Sequence, residues 1–573
     1  MRKKARNRGV APADYPPRFS SEQIVAPPSS PADERIEVGV LIVGGGPGGL
    51  ACAIRLGQLL EASPETAERL GDVPVAVLEK GKQPGSHLLS GAVVNPRSLR
   101  RLFKDRLHME DIPNYGPVHG EAVYVLTARG ARRIPPPPTM RNHGNWIVSL
   151  AQLGRFLGEQ AESSGAAVLP ETTAERLLVE HGRVVGIRTG DRGRARDGSQ
   201  LPNFEAGSDV VAKVTVLAEG TQGHLTSAAV EHFGLHGTNP QVWALGVKEV
   251  WRVPRPLHRV IHTMGWPLRK SPKYGEFGGS FVYPMGEDMI SLGFVVGLEY
   301  RDVELSAHDL LQEFKTHPKI IKLIAGGERI GWGAKTITEG GFLSLPSRFN
   351  APGLVLVGEG AGLVNVPRLK GIHYAVESGM LAAEAVFASL QPGEAPTRVG
   401  ALDSYNNALR ASYVWRDLRE VRNMRQAFDK GFFVGGALAS GMTLTKGRLP
   451  GKDRPTKPNA AAPLLRTGRA KAYPPSDGKL TFDKLSSVYA SGNRTRDDQP
   501  NHIRIRERVP RDVAEMWAWT CPAQVYEVGP DDAEGTVSVH MTPSNCVQCG
   551  AITAKGGRLT PPEGGSGPEY SLT

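Results

Sequence analysis

The sequence predicts an α/β fold built on a parallel sheet, and three stretches carry that expectation. Each is an apolar strand running into a glycine-bearing turn: VGVLIVGGGPGGLACAIRLGQLL at 38–60, VTVLAEGTQGHLT at 214–226 and GLVLVGEGAGLVNVPRLKGIHYAVESGMLAAEAV at 353–386. The first and third continue into helices with apolar periodicity, and such repeats build sheets covered by crossover helices. A chain of 573 residues has material for about three or four domains with sizeable cores. Its 40% hydrophobic and 22% charged residues are ordinary for a globular protein.

The opening MRKKARNRGVAPADYPPRF holds five basic residues in its first ten and no apolar run behind them. That is not a secretory signal, and its proline and glycine disfavour the amphipathic helix of a transit peptide. The composition predicts a disordered basic tail over 1–37. At 38–60 the strand meets Gly44-x-Gly46-x-x-Gly49 and then a helix, the context in which three glycines signal dinucleotide binding. Gly44 permits the tight turn, Gly46 lets backbone amides reach a pyrophosphate at the helix N-terminus, and Gly49 lets helix and strand pack closely. Cys52, inside the helix, reads as a small buried filler.

The next apolar run, 73–78, ends in Glu79, the expected partner of an adenosine ribose. It lies 30 residues past Gly49, beyond the usual spacing of about 20, and the stretch EASPETAERLGDVP would absorb the difference. A glutamate merely closing a strand is the other reading. Two later turns favour FAD over NAD(P). Glu219-Gly220 ends a strand where the chain would return to a flavin. Gly358-Glu359-Gly360-Ala361 offers an acidic partner for a ribityl hydroxyl ahead of a long helix, whose positive N-terminus suits a reduced, anionic ring. For Glu359 a surface turn is the alternative.

Net charge is +11 and pI about 9.4, which favours an anionic partner. No nucleic-acid-binding motif accompanies it, so nucleic acid ranks last. Four cysteines make no disulfide framework and suit a reducing compartment. No run approaches the roughly 20 apolar residues that span a bilayer, yet KGFFVGGALASGMTLTK at 430–446 has fifteen uncharged residues between its lysines. Residues 446–471 follow with eight Lys/Arg and one acid, Asp453. An apolar patch beside a basic stretch is the pattern of a protein dipping into one leaflet; a buried helical segment with a solvated basic loop is the alternative. Near the C-terminus Cys546 and Cys549 form a C-x-x-C pair whose next repeat position is Ile552.

Colinear stretches give a more specific signal: HLLSGAVVNP (87–96), HTMGWPL (262–268), FGGSFVYP (277–284), VNVPRLKGIHYAVESGMLAAEA (364–385), CPAQVYE (521–527) and PEGGSGPEY (562–570). On these the chain resembles the electron transfer flavoprotein–ubiquinone oxidoreductases and their bacterial relatives, from about residue 38 to 570. The resemblance implies a Rossmann-like FAD-binding domain of the glutathione-reductase type at 38–245 and 335–395. It implies an interleaved quinone-binding, membrane-associated domain at 246–334 and 396–474, and a ferredoxin-like iron–sulfur domain at 475–573. It further implies that electrons pass from reduced electron transfer flavoprotein, through FAD and a cluster, to ubiquinone or another quinone, and that the protein is monotopic. The surface expected is the cytoplasmic face of a bacterial inner membrane, with the matrix side of the mitochondrial inner membrane as the alternative. The amides of Gly278 and Gly279 would bond a quinone carbonyl; a bulge in a sheet is the other reading. His373 is a proton-donor candidate better read as structural.

The family holds a [4Fe–4S] cluster with a cysteine in a Cys-Pro-Ala context and three in C-x-x-C-x-x-C. Cys521, Cys546 and Cys549 match three ligands, and Ile552 stands at the fourth, where an all-thiolate four-iron cluster needs cysteine. Four outcomes stay open: water, a carboxylate or an imidazole such as His540 on the fourth iron; a three-iron cluster; no metal; or zinc. Two other function classes stand beside the main reading, an FAD-dependent NAD(P)H reductase or monooxygenase and a catalytically silent scaffold.

Overall fold

The computed structural model describes residues 9–104, 106–391, 402–448 and 452–573. Its first sheet runs in the order Val25–Ala26, Ala174–Glu180, Arg183–Thr189, Asp209–Leu217, Ile36–Val43, Val75–Leu78, Ala167–Leu169, and Leu354–Leu356 also pairs with Asp209–Leu217. The pairings among Asp209–Leu217, Ile36–Val43, Val75–Leu78, Ala167–Leu169 and Leu354–Leu356 are parallel. The inner six residues of Ile36–Val43 are all buried. A central strand covered on both faces has no solvent side, which is why its sequence is continuously apolar rather than alternating. Helices Pro47–Glu61 and Ile372–Ser389 pack together in its core.

The expectation of a disordered tail over 1–37 fails from residue 9 onward; residues 1–8 lie outside the described residues. Ile24 is buried, Val25 and Ala26 add a parallel edge to Leu177 and Leu178, and the Ser29 and Ser30 amides donate to Asp209 Oδ2 at 2.6 and 2.7 Å. A segment poor in apolar residues is ordered here because a sheet edge and a carboxylate satisfy its backbone, a partnership that composition does not display.

The second sheet has the order Glu328–Thr338, Trp243–Arg252, Met289–Gly297, Gly278–Met285, Val260–Gly265, Glu121–Leu126, Ala131–Ile134. Its last two strands come from within the segment that the sequence reading gives to the FAD-binding domain. The chain thus leaves the first sheet and returns to it before entering the second sheet again at Trp243. A third unit contains the antiparallel strands Arg508–Pro510, Thr536–Met541 and Tyr526–Asp531, the helix Arg511–Thr520, and the pair Ile503–Arg504 with Arg558–Leu559. It shares one apolar core with the second sheet, in which Phe294 and Trp332 join Trp517 and Val525. Burial of such rings is worth roughly 2–3 kcal/mol each, so the two units are held as one body.

Candidate functional site

A cavity of about 1260 Å³ runs between the two sheets. Its first wall is the turn after Ile36–Val43. Gly44 has φ +111° and its missing side chain would collide with the Ala218 carbonyl, while the space beside Gly46 is open apart from Leu88 Cδ2 at 3.8 Å. A Cβ on Gly49 would strike the Gly44 carbonyl oxygen. The turn therefore leaves the N-terminus of Pro47–Glu61 bare toward the cavity. Gly44 and Gly46 line that cavity; Gly49 packs behind it.

Glu79 ends the neighbouring strand and lines the same wall. Its carboxylate accepts from the amides of Gly45 (3.1 Å) and Gly81 (2.6 Å). Burial nonetheless pushes its pKa up, against those amides and Lys80. Glu219 is differently employed: its carboxylate accepts from the amides of Leu225 (3.1 Å) and Thr226 (2.6 Å) and from Thr226 Oγ1 (2.7 Å), capping His224–His232. It still lines the cavity with Gly220, whose φ is +74°. Gly358 and Glu359 form the facing wall beside the N-terminus of Ile372–Ser389. Glu359 accepts from the Thr338 amide at 3.0 Å, and burial raises its pKa.

The far reach of the cavity touches Gly278 and Gly279. Gly278 has φ +150° and a side chain there would overlap the Val295 carbonyl, so this strand end excludes other residues. Beyond lies Phe432–Leu444, which contributes Gly436, Ala439 and Thr443 to the wall and exposes Val434 and Leu444. Among the described residues no helix is long and apolar enough to cross a membrane. His373 does not line this cavity. It is buried beside Tyr413, its ring plane 4° from the tyrosine's, and burial pulls it down to about 3.

Sequence reasoning missed the cations. Lys80, Lys248, Lys335 and Lys370 all line the cavity. Burial lowers each of them, Lys248 and Lys370 to about 7 and Lys335 to about 8. The signal was present in WALGVKEVWR and GWGAKTIT, where lysine interrupts an apolar strand. An anionic ligand restores the charge that burial removes. The wall also carries Glu339, raised by burial to about 7 despite Arg425. This cationic, glycine-turned wall with buried carboxylates fits FAD: room for a pyrophosphate at a bare helix N-terminus and a carboxylate for its ribose.

Cys521, Cys546 and Cys549 line a second, much smaller pocket together with Ile552. The Val525 amide donates to Cys521 Sγ at 3.5 Å and the Gln548 amide to Cys546 Sγ at 3.4 Å. Burial pushes the Cys549 thiol up to about 12. Cys549 and Gly550 line both pockets, and the connecting segment is bonded across the wall. Lys80 Nζ donates to Gln548 Oε1 (2.8 Å), Lys335 Nζ to the Gln548 carbonyl (3.1 Å) and the Thr336 amide to the Cys549 carbonyl (2.7 Å). These residues fit a cluster held by three thiolates and do not fit one held by four. His540, weighed as a fourth ligand, is exposed on Thr536–Met541 and does not line the pocket. Cys52 is remote from it, buried in Pro47–Glu61.

Comparison with known proteins follows the same division. Residues 243–337 match the family model described as ETF-QO, ubiquinone-binding, and residues 478–571 match that described as electron transfer flavoprotein-ubiquinone oxidoreductase, 4Fe-4S. The mitochondrial electron transfer flavoprotein-ubiquinone oxidoreductase of Caenorhabditis elegans is 38% identical over 93% of this chain and 91% of its own. The Pseudomonas aeruginosa protein of that name is 36% identical over 94% and 99%, and the human mitochondrial one 37% over 93% and 89%. Among solved structures, a geranylgeranyl bacteriochlorophyll reductase-like protein from Thermoplasma acidophilum shares the fold, with TM-score 0.54 and 18% identity over 72% of this chain and 92% of its own. With two domain models matched and relatives aligned over nearly their whole lengths, the chain belongs to the electron transfer flavoprotein–ubiquinone oxidoreductase family.

Proposed function

We propose that this chain is a membrane-associated flavoprotein oxidoreductase that takes electrons from reduced electron transfer flavoprotein and delivers them to ubiquinone or another quinone. The observation that carries this reading is the continuity of one cavity. It joins the glycine turn and Glu79 to Gly278 and Gly279, then to the apolar helix Phe432–Leu444, with the Cys549–Gly550 turn in its wall.

FAD, when bound, supplies the redox chemistry, accepting electrons and passing them on. The protein's own groups do the rest. The Gly44–Gly49 turn and the N-terminus of Pro47–Glu61 would hold the pyrophosphate, Glu79 the ribose, and Gly358-Glu359 with the N-terminus of Ile372–Ser389 the flavin end. Lys335, buried near Glu359, would favour a ligand carrying negative charge at that end. Glu219 positions the turn that carries Gly220 by capping the helix behind it. The amides of Gly278 and Gly279 orient a quinone carbonyl, and the absence of side chains there lets a flat ring approach. Cys521, Cys546 and Cys549 hold the iron–sulfur cluster, joined to the cavity wall through Gln548 and Cys549.

The exposed Val434 and Leu444 beside the basic stretch 446–471 support attachment to one leaflet of an anionic membrane, with quinone entering from the acyl chains. The surface we favour is the cytoplasmic face of a bacterial inner membrane, the matrix face of a mitochondrial one being the alternative.

The test is anaerobic stopped-flow reduction, followed by reoxidation with quinone held in vesicles. Reduced electron transfer flavoprotein is expected to bleach the flavin rapidly. Quinone in anionic vesicles is expected to reoxidise it faster than quinone in neutral ones, with the advantage shrinking in salt. Rapid bleaching by NAD(P)H with none by the flavoprotein would overturn the reading in favour of a reductase or monooxygenase. A purified chain that binds no flavin would overturn it in favour of a scaffold.

A further inference from the structure

The C-terminal pocket departs from four-thiolate cluster chemistry at one corner. Cys521 caps the end of Arg511–Thr520, Cys546 follows the turn Pro543–Asn545, and Cys549 precedes the short helix Ala551–Ala554. All three line one small pocket. Three thiols lining one pocket, with no carboxylate or imidazole among them, are a soft donor set of the kind that iron–sulfur centres use. Amide donation to Cys521 Sγ and Cys546 Sγ adds the hydrogen bonds that stabilise cluster thiolates.

At the corner where a fourth thiolate would stand is the side chain of Ile552, 6% exposed and part of the core around Trp517 and Val547. No carboxylate or imidazole lines the pocket. Most of its polar lining groups are committed elsewhere: Trp517 Nε1 donates to the Lys555 carbonyl (2.8 Å), Thr520 Oγ1 is paired with Tyr300 Oη (2.5 Å), and Lys555 Nζ donates to the Tyr300 carbonyl (3.0 Å). The phenol of Tyr526 is the remaining oxygen. A branched hydrocarbon stands at the fourth ligand's position in the motif and offers iron no lone pair.

We propose that this chain holds a three-iron, four-sulfide cluster on Cys521, Cys546 and Cys549, with Ile552 at the position of the fourth ligand leaving a fourth iron without a thiolate. The proposal rests on the reading of this unit as a cluster domain.

It is tested on the full chain, purified anaerobically with its FAD, by iron, zinc and acid-labile sulfide per FAD together with EPR and Mössbauer spectra of oxidised and reduced samples. The expected result is about three irons and four sulfides per FAD, no zinc, and a cluster signal in the oxidised sample that one electron removes. Ile552→Cys is expected to raise iron to about four, silence the oxidised signal and create one on reduction. Tyr526→Phe is expected to change neither count nor spectrum. About four irons in the wild type with a signal only on reduction would overturn the proposal, as would zinc, or FAD without metal. Loss of iron in Tyr526→Phe would also overturn it, by making the phenol a ligand. A chain that keeps FAD and accepts electrons from the flavoprotein but holds no iron fails this inference alone. One that binds no FAD fails the functional reading.

Discussion

Glu249 and its neighbour Lys248 divide a strand between two faces. Lys248 turns to the cavity, while Glu249, wholly buried, turns into the core between sheet and helix. There it accepts from Lys315 Nζ at 3.0 and 2.9 Å, from Trp251 Nε1 at 2.7 Å and from Gln312, with Arg329 at 3.6 Å. Burial raises the carboxyl and pulls the Lys315 ammonium down; for the carboxyl, Lys315 and Arg329 together win and hold it below its ordinary 4.5. Removing Glu249 leaves a buried ammonium unpaired. Glu249→Leu is expected to destabilise the protein by about 3–5 kcal/mol, and adding Lys315→Met to recover much of that. Because the folded carboxyl titrates below its unfolded value, the pair's contribution is complete above about pH 4.5 and is lost as pH falls through the folded value. The acid limb of stability is thus expected to be shallower in the double variant, measured by urea midpoints across pH 3–7. The sequence showed two charges inside an apolar strand, and strand alternation says that they face opposite ways. It did not show the partner, because Lys315 is 66 residues distant in sequence. Glu79 illustrates the legible case, since a carboxylate at a strand end after a glycine turn is a local pattern.

Helices Pro47–Glu61 and Ile372–Ser389 were both legible from apolar period and from the turns ahead of them, but the seam between them was not. Gly379 lies mid-helix in AVESGMLAAEAV, where glycine reads only as a weak helix former. In the structure its missing side chain lets the second helix rest on the first. A Cβ there would collide with the Gly48 carbonyl and lie 3.1 Å from the Cys52 amide. Gly48 belongs to the first turn that faces the cavity, so this seam sets where the helix N-terminus points. Gly379→Ala is expected to lower stability by about 1–3 kcal/mol through overpacking. It is also expected to weaken FAD retention at least about tenfold, since 1.4 kcal/mol of lost binding is a factor of ten. Equilibrium dialysis of FAD beside thermal unfolding separates the two effects. Unchanged FAD affinity alongside lowered stability would confine Gly379 to packing. No periodicity could have found this contact, because close approach between helices more than 300 residues apart leaves no local pattern.

At the scale of the molecule, the division into a flavin-binding core, a second sheet and a cysteine-bearing end was legible, whereas the weaving of the chain between them was not. The strands at 121–134 enter the second sheet early because sheet edges are filled by whichever segment reaches them, and alternation within a strand does not name its partner. The tail after residue 9 escaped for the same reason. One join between the parts lies in PEGGSGPEY, a motif with meaning only by resemblance. Tyr570 is buried, its hydroxyl bonded to the amide and carbonyl of Ala334 (both 3.2 Å) in the second sheet. Its own amide donates to the Ser86 carbonyl (3.0 Å), and its carbonyl accepts from Arg155 Nη2 (2.6 Å), both in the flavin-binding core. One residue thus spans both sheets beside the wall that carries Lys80, Gln548 and Cys549. Tyr570→Phe loses only the hydroxyl bonds and is expected to cost about 1 kcal/mol. Tyr570→Ala also removes the ring and is expected to cost about 3–5 kcal/mol. If the residue joins units rather than merely filling space, the alanine variant will release FAD, seen as rising flavin fluorescence, some degrees before its far-UV circular dichroism is lost. In the phenylalanine variant the two transitions will stay together. Coincident transitions in Tyr570→Ala, merely shifted downward, would mean that the sheets unfold as one body without this clamp, and that the shared core around Trp332 and Trp517 suffices to join them.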